Sequence, residues 1–174
     1  MDFALSDEQR MIAETIGKVV DAEAAAPAVA AQGVCRWFSE ERWGRLAETG
    51  LLGLNVAAGM GGFGGTAVDN LVAFQAFGRG TLREPVISTA VICAKLLGSF
   101  GTAQQRQRHL PALAEGRLRF ALADLERGRR YDVVPARTSA RRTADGWILD
   151  GEKVTVLDAP AATLLAVPAT VSGN

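Results

Sequence analysis

The sequence predicts an α+β protein, in which an amino-terminal all-α helical domain is followed by a small antiparallel β-domain. Two observations support this prediction. Helical spacing of apolar residues, with N-cap motifs, continues to about residue 116. Beyond it, short apolar runs alternate with turn signals, which is typical of strands. We therefore expect two domains, at 1–117 and 118–174.

Composition and charge exclude several classes of protein. The chain has 174 residues, 48% of them apolar and 22% charged, which is ordinary for a globular protein. Its 19 basic residues balance 19 acidic ones, so no net field attracts nucleic acid or an anionic membrane. No run reaches the ~18 apolar residues of a membrane span. Cys35 and Cys93 are far apart, which favours a reduced, cytoplasmic protein over a disulfide scaffold.

N-cap signals divide the first part of the chain into helices. A Ser or Thr side chain can accept a hydrogen bond from a free N–H of the first turn, and a Gln three residues later can return it. Proline suits the first helical position, and glycine suits the position after the last. These signals predict helix starts at Ser6, Ser39, Thr66, Pro85 and Thr102, and helix ends near Gly33 (after an interruption at Pro27), Gly50, Gly78, Gly98 and Gly116.

The last third of the chain reads as a meander of strands. Asp145-Gly146 is a hairpin signal between two runs with strand character. A second Asp-Gly turn follows at Asp150. The predicted strands are Phe120 to Asp124, Arg137 to Arg142, Trp147 to Leu149, Val154 to Leu157 and Leu164 to Val167.

A glycine-rich segment and a basic strip are each open to more than one interpretation. Gly59 to Gly64 fits G-x-G-x-x-G, which cradles a pyrophosphate in a βαβ unit. Helices flank it here, so a connecting loop whose glycines permit positive φ is favoured. Between Arg127 and Arg142 there are six Arg and one Asp. This strip is either a solvated loop or a surface for phosphate.

Other polar and aromatic residues are interpreted as structural. His109, the single histidine, is expected on a helix surface. Asp124 and Glu126 are expected to be solvated charges rather than an acid–base pair, and Trp37 and Trp43 to pack in the core. No metal-ligand spacing is present.

The order of several motifs resembles the acyl-CoA dehydrogenase family. The run from Trp43 to Leu54, followed by Gly61-Gly-Phe-Gly-Gly, is similar to the family's helix and Gly-Gly-x-Gly loop. Gly101 to Gly116 is similar to the segment that leads out of its helical domain. Gly146 to Lys153 matches the hairpin written G-x-x-L-x-G-x-K in the family.

This resemblance implies a fold and a reaction. The family has an N-terminal helical domain, a middle β-domain and a C-terminal helical domain. FAD lies between the last two and takes a hydride from the β-carbon of an acyl-CoA thioester after α-proton removal. We expect the C-terminal helical domain to be absent from these 174 residues, and the β-domain to be incomplete. Because the family's general base, a glutamate, lies in that C-terminal domain, no residue here is assigned a catalytic role.

The resemblance also assigns flavin-facing positions. Phe120 and Leu122 match the apolar wall, and Gly128 matches the glycine of the following loop. Three positions differ from the family. Ala123 stands where the family has a threonine. Thr155 stands where it has an aromatic residue, and Leu157 where it has a second threonine. We therefore expect the chain alone to bind FAD poorly.

Two functional hypotheses follow. The chain is either part or a subunit of a flavoenzyme that oxidises acyl-CoA, or a non-catalytic relative that acts as a structural or binding partner; a truncated gene product is a third alternative. Because the predicted sheet leaves an uncovered edge, we expect a homo-oligomer or a heteromeric complex with an acyl-CoA dehydrogenase partner.

Overall fold

A computed structural model describes residues 4–25, 37–80, 82–129, 132, 134 and 137–171. Cys35, Pro27 and the helix end predicted near Gly33 lie outside the described residues. The helices are α1 (Asp7–Ala25), α2 (Glu40–Glu48), α3 (Ala67–Arg79), a π-helical segment (Ile87–Cys93) that continues into α4 (Ala94–Phe100), and α5 (Ala103–Ala114). The strands are β1 (Phe120–Leu122), β2 (Ser139–Thr143), β3 (Gly146–Asp150), β4 (Leu164–Ala166) and β5 (Thr170–Val171).

The N-cap motifs fix the helix starts as predicted. Ser6 and Gln9 exchange side chain–backbone hydrogen bonds of 3.1 and 3.2 Å. Ser39 accepts from the backbone N–H of Arg42, and capping boxes open α3 at Thr66 and α5 at Thr102. Two ends run past the predicted glycines, since α3 ends at Arg79 and α4 at Phe100. Each extension is two residues or fewer, because a glycine weakens a helix without terminating it.

The α+β class is confirmed, but the strands pair in a mixed rather than purely antiparallel way. β2 and β3 form the antiparallel hairpin predicted at Asp145-Gly146. β1 pairs with β4 and β2 pairs with β5, both in parallel. An Asp-Gly turn specifies only the pair that it joins. The pairing of strands separated by dozens of residues is not encoded in any local motif.

The strand predicted at Val154 to Leu157 is wrong. These residues form an irregular loop. Thr155, within it, has φ 52°, and Asp158, which follows it, has φ 61°. Positive φ is incompatible with an extended strand. The β-branched residues that suggested a strand therefore lie in a turn.

Two clusters of buried side chains form the core. The first joins α1, α2 and α3 around Ile16, Leu46 and Ala73. The second joins α5 to β1 through Leu113 and Phe120. Trp43 is buried, as predicted, and its indole N–H donates to the Gly116 carbonyl at 2.7 Å. The domain boundary near residue 117 remains a prediction, and the second cluster draws on residues from both sides of it.

A threonine hydroxyl connects the π-helical segment to the first strand. The fully buried Thr89 Oγ1 accepts from the Phe120 N–H at 3.1 Å and donates to the Phe120 carbonyl at 3.0 Å. The neighbouring Ser88 hydroxyl donates to the carboxylate of Asp158. The Thr89 side chain thus satisfies both backbone groups of Phe120, which would otherwise be buried without hydrogen bonds.

Replacing Thr89 with valine should destabilise the protein by about 2–6 kcal/mol. Valine has the shape of threonine but leaves the N–H and C=O of Phe120 unpaired, at about 1–3 kcal/mol for each group. Urea unfolding followed by far-UV circular dichroism measures the change. Thr89→Ser is the control, because it keeps the hydroxyl and should lose only about 1 kcal/mol of apolar burial. Equal losses in the two variants would show that the hydroxyl contributes little.

Candidate functional site

Two chain segments form the candidate site. The strand-exit segment, residues 123–128, follows β1, and the hairpin-exit segment, residues 153–158, follows β3. The backbone N–H of Val154 donates to the carbonyl of Leu125 at 2.9 Å and joins them. Of the positions that the resemblance relates to a flavin, Ala123, Gly128, Thr155 and Leu157 therefore lie on two segments that a hydrogen bond joins.

A buried ion pair lies beneath this junction. Lys153 Nζ is 3.1 Å from Glu126 Oε1, and the two side chains are only 7% and 2% exposed. The Lys153 ammonium also donates to the carbonyl of Asp124 at 3.4 Å. The Glu126 carboxylate accepts from the backbone N–H groups of Arg137 and Thr138 at 3.0 and 2.9 Å. The prediction that Glu126 is a solvated charge is therefore wrong, because the Lys153 ammonium and two backbone N–H groups take the place of water around its carboxylate.

The hairpin-exit segment presents an apolar side chain from a constrained backbone. Leu157 is 71% exposed. Thr155 and Asp158, on either side of it, both have positive φ, which is uncommon outside glycine and asparagine. The Asp158 carboxylate is bound by Ser88 of the π-helical segment. Such backbone strain persists only where surrounding contacts hold it in place.

The predicted cofactor-binding residues occupy different environments. Phe120 is buried in the second core cluster, with its ring edge-on to His109 at 5.8 Å between centroids. Leu122 is half-buried against the same cluster. Gly128 is exposed in a turn at φ 78°, where a Cβ would meet no atom within 4 Å. The role of all three in binding a cofactor stays a prediction.

The basic strip is partly neutralised within the chain. Arg127 pairs with Glu152 at 3.1 Å, and Arg129 pairs with Asp132. Arg141 and Arg142 lie exposed on β2. The arginines with carboxylate partners fit the interpretation of the strip as a solvated loop. For Arg141 and Arg142, the interpretation as a phosphate-binding surface still stands as an alternative.

The histidine and the glycine-rich segment have structural environments. His109 is half-buried on α5, and its pKa is lowered, first by burial and then by the nearby Arg108. The glycine-rich segment begins in a 3₁₀ turn (Ala58–Met60) and leads into α3 as a connecting loop. A Cβ added at Gly62 would lie 2.2 Å from the carbonyl oxygen of Val56. This close contact explains why a glycine occupies the position. Among the described residues, no group of His, Cys, Asp and Glu could hold a metal ion.

A cavity of about 450 Å³ lies elsewhere, between α1, α3 and the glycine-rich loop. Its apolar lining includes Met11, Leu51, Leu54 and Phe63. It shares no lining residue with the strand-exit or hairpin-exit segment. The candidate site is therefore an open face and not part of this cavity.

Comparison with known proteins identifies the family. Residues 6–117 match the model of the acyl-CoA dehydrogenase N-terminal domain. Since this match covers more than half of the chain, the protein belongs to the acyl-CoA dehydrogenase family. Within the described ranges, no helix is long and apolar enough to cross a membrane.

Relatives and solved structures agree with this assignment. The chain is 31% identical over 170 residues to benzylmalonyl-CoA dehydrogenase of Aromatoleum aromaticum, covering 96% of this chain and 45% of that protein. It is 30% identical over 135 residues to the mitochondrial long-chain specific acyl-CoA dehydrogenase of Rattus norvegicus, covering 77% and 31%. A Bacillus anthracis acyl-CoA dehydrogenase solved with FAD superposes with a TM-score of 0.83 at 28% identity, covering 98% and 30%. The chain thus spans less than half the length of these relatives.

The described residues do not fit the polar edge of a flavin. Ala123 has no hydroxyl, and its N–H already donates to the Ala166 carbonyl at 2.9 Å. Leu157 offers an exposed apolar side chain where a hydrogen-bonding group is implied. Thr155 is exposed, but it stands where the family has an aromatic residue. A flavin edge left without these partners would lose about 1 kcal/mol for each missing hydrogen bond.

The buried thiol of Cys93 should be unreactive in the folded protein. Burial raises its pKa to about 11. At pH 8 only about one thiol in a thousand is then ionised, and the thiolate is the reactive form. In a Cys35→Ser variant, we expect negligible reaction with Ellman's reagent at pH 8 and full reaction in 6 M guanidinium chloride. Complete labelling of the folded variant within minutes would contradict the buried environment.

Proposed function

We propose that this chain forms the front part of a flavoenzyme that oxidises acyl-CoA thioesters at the α,β carbons, with FAD as the hydride acceptor. Its family membership over residues 6–117 is the observation that best supports the proposal. The hydrogen bond between Val154 and Leu125 also supports it, because Ala123, Gly128, Thr155 and Leu157, which the family resemblance relates to the flavin, lie on the two segments that it joins.

In this proposal the chain contributes a scaffold and one face of the cofactor site. The helical domain, 1–117, supports the partial β-domain, 118–174, through the buried Thr89 hydroxyl. Phe120, Leu122 and Gly128 line the cofactor. The proton-abstracting base is supplied from outside the described residues, and the polar edge of the flavin is held mainly by groups outside them too. A cytoplasmic location is part of the same proposal.

Restoring a hydroxyl at Leu157 tests where the flavin lies. The purified chain should be colourless, and Leu157→Thr should raise its affinity for added FAD about fivefold, since one hydrogen bond contributes about 1 kcal/mol. Quenching of flavin fluorescence during titration measures the affinity. Because Leu157 is 71% exposed, the substitution should leave the fold unchanged.

Leu71→Thr is the matched control for this experiment. Leu71 lies on α3 and is 68% exposed, so the same chemical change is made at a similar exposure but away from the two segments. It should leave FAD affinity unchanged. An equal response of both variants, or no response at Leu157, would argue against a flavin at this face. Stoichiometric FAD in the purified wild-type chain would contradict the expected loss of contacts.

A non-catalytic role as a structural or binding partner is the second candidate. It is favoured by strand β3, which pairs only with β2 among the described strands. Trp147, Ile148 and Leu149 on this edge strand are all exposed. Exposed apolar edge strands pair with other chains unless they are covered. This surface supports association with a second copy or with an acyl-CoA dehydrogenase partner, whether or not the chain takes part in catalysis.

The apolar edge predicts self-association that a charge should abolish. In multi-angle light scattering at micromolar concentrations, the wild-type chain should show a mass above the 18.4 kDa of one copy. Trp147→Lys should move the mass toward the monomer, because inward or edge lysines oppose strand pairing. Leu71→Lys is the control. Because Leu71 lies on a helix, this variant should have the same mass as the wild type. A monodisperse wild-type monomer would contradict this prediction.

A further inference from the structure

The two segments of the candidate site are connected in two ways that differ in burial. Lys153 and Glu126 form a buried pair at 3.1 Å. Arg127 follows Glu126 in the sequence, and Glu152 precedes Lys153. These two side chains form a second, exposed pair, also at 3.1 Å. The side chains of this second pair are 74% and 68% exposed. The same two parts of the chain are therefore connected by one buried and one exposed ion pair, and the effects of the two pairs can be compared.

The buried link reaches further than the exposed one. Lys153 contacts both the Glu126 carboxylate and the Asp124 carbonyl on the strand-exit segment. Through the same carboxylate, Glu126 also binds the backbone N–H groups of Arg137 and Thr138, which lead into β2. Three stretches of chain, separated by 11 to 29 positions in sequence, thus meet at one ion pair. The exposed pair joins only two side chains.

The energetics of the two links differ in kind. Water and salt screen an exposed pair, and such pairs contribute little to stability. A buried pair loses its hydration, and its attraction offsets this cost only when the geometry is good and the remaining polar atoms are bonded. Both conditions are met here, since Glu126 has three donors and Lys153 two acceptors. Replacing such a pair with apolar residues often leaves stability unchanged, so a contribution to overall stability does not by itself account for it.

We propose that Glu126 and Lys153 are positioning residues, which hold the strand-exit and hairpin-exit segments in the register that forms the candidate site. Without the pair, the helical core stays folded while the two segments separate and the positive-φ turn around Leu157 relaxes. This inference goes beyond the proposed function, because it concerns the geometry of the two segments and holds with or without a flavin.

Hydrogen exchange at single amides, measured by NMR, tests the proposal. In Glu126→Gln/Lys153→Met, both charges are removed together, so that no buried charge is left unpaired and the fold is kept. The amide of Val154, which bonds Leu125 and neither altered side chain, should exchange about tenfold or more faster. The amide of Ala123, whose bond to the Ala166 carbonyl involves neither altered side chain, and the amides of α5 should exchange within about twofold of the wild type.

The exposed pair provides the matched control. Arg127→Met/Glu152→Gln removes one positive and one negative charge from the positions adjoining Glu126 and Lys153, and it should leave exchange at Val154 within about twofold of the wild type. Equal acceleration by both double variants would overturn the proposal, because register would then not depend on burial. Acceleration spread evenly over Val154, Ala123 and α5 would overturn it too, because the pair would then act only on global stability.

A milder variant gives the same readout if the buried double variant does not fold. Glu126→Asp keeps the charge and shortens the side chain by one methylene, so the contacts to Lys153 and to the β2 amides lengthen. It should accelerate exchange at Val154 about threefold and leave Ala123 unchanged. Unchanged exchange at Val154 in this variant would overturn the proposal. None of these outcomes depends on FAD or acyl-CoA binding, so a failure here is separate from a failure of the proposed function.

Discussion

The structure depends on the hydrogen bonds between the Thr89 hydroxyl and the backbone of Phe120. A strand that leaves a helical domain must find partners for its N–H and C=O groups on both sides. β4 supplies one side of β1, and at Phe120 a single side chain of the π-helical segment supplies the other. The second core cluster then closes around the Phe120 ring. The position of the strand-exit segment follows from this anchoring, since it begins one residue after β1 ends.

Local signals predicted local structure well, and long-range contacts set the rest. The capping residues at Ser6, Thr66 and Thr102 and the Asp-Gly hairpin act within four residues, so the sequence displays them directly. The parallel pairing of β1 with β4 joins residues 44 positions apart, and no local pattern records it. The turn at 153–158 was missed because Val154 and Thr155 favour strands on average, whereas contacts from other segments impose positive φ here.

The resemblance assigned flavin-facing positions along the chain, and only the structure gave the environments of the side chains near them. Ala123, Gly128 and Leu157 were each compared with a flavin-facing position separately; the hydrogen bond from Val154 to Leu125 joins the two segments on which they lie, and their relation to a flavin stays a prediction. Glu126 was misjudged because its position beside Asp124, next to a loop, suggested solvent. The signal that could have corrected this is Lys153, a lone cation after an apolar hairpin, which needs a counter-charge if it is buried. A single sequence does not show which carboxylate it meets.

The parallel pairing of β1 with β4 has a consequence for synthesis on the ribosome. A chain emerges from its amino terminus, so Phe120 leaves the ribosome 44 residues before its strand partner Leu164. During that interval Thr89, made 31 residues earlier, is already present to bond the Phe120 backbone. The helical domain can therefore fold with β1 attached while the hairpin is still being made. In this order, the edge of β1 that awaits β4 is the surface most exposed to wrong pairing in the nascent protein.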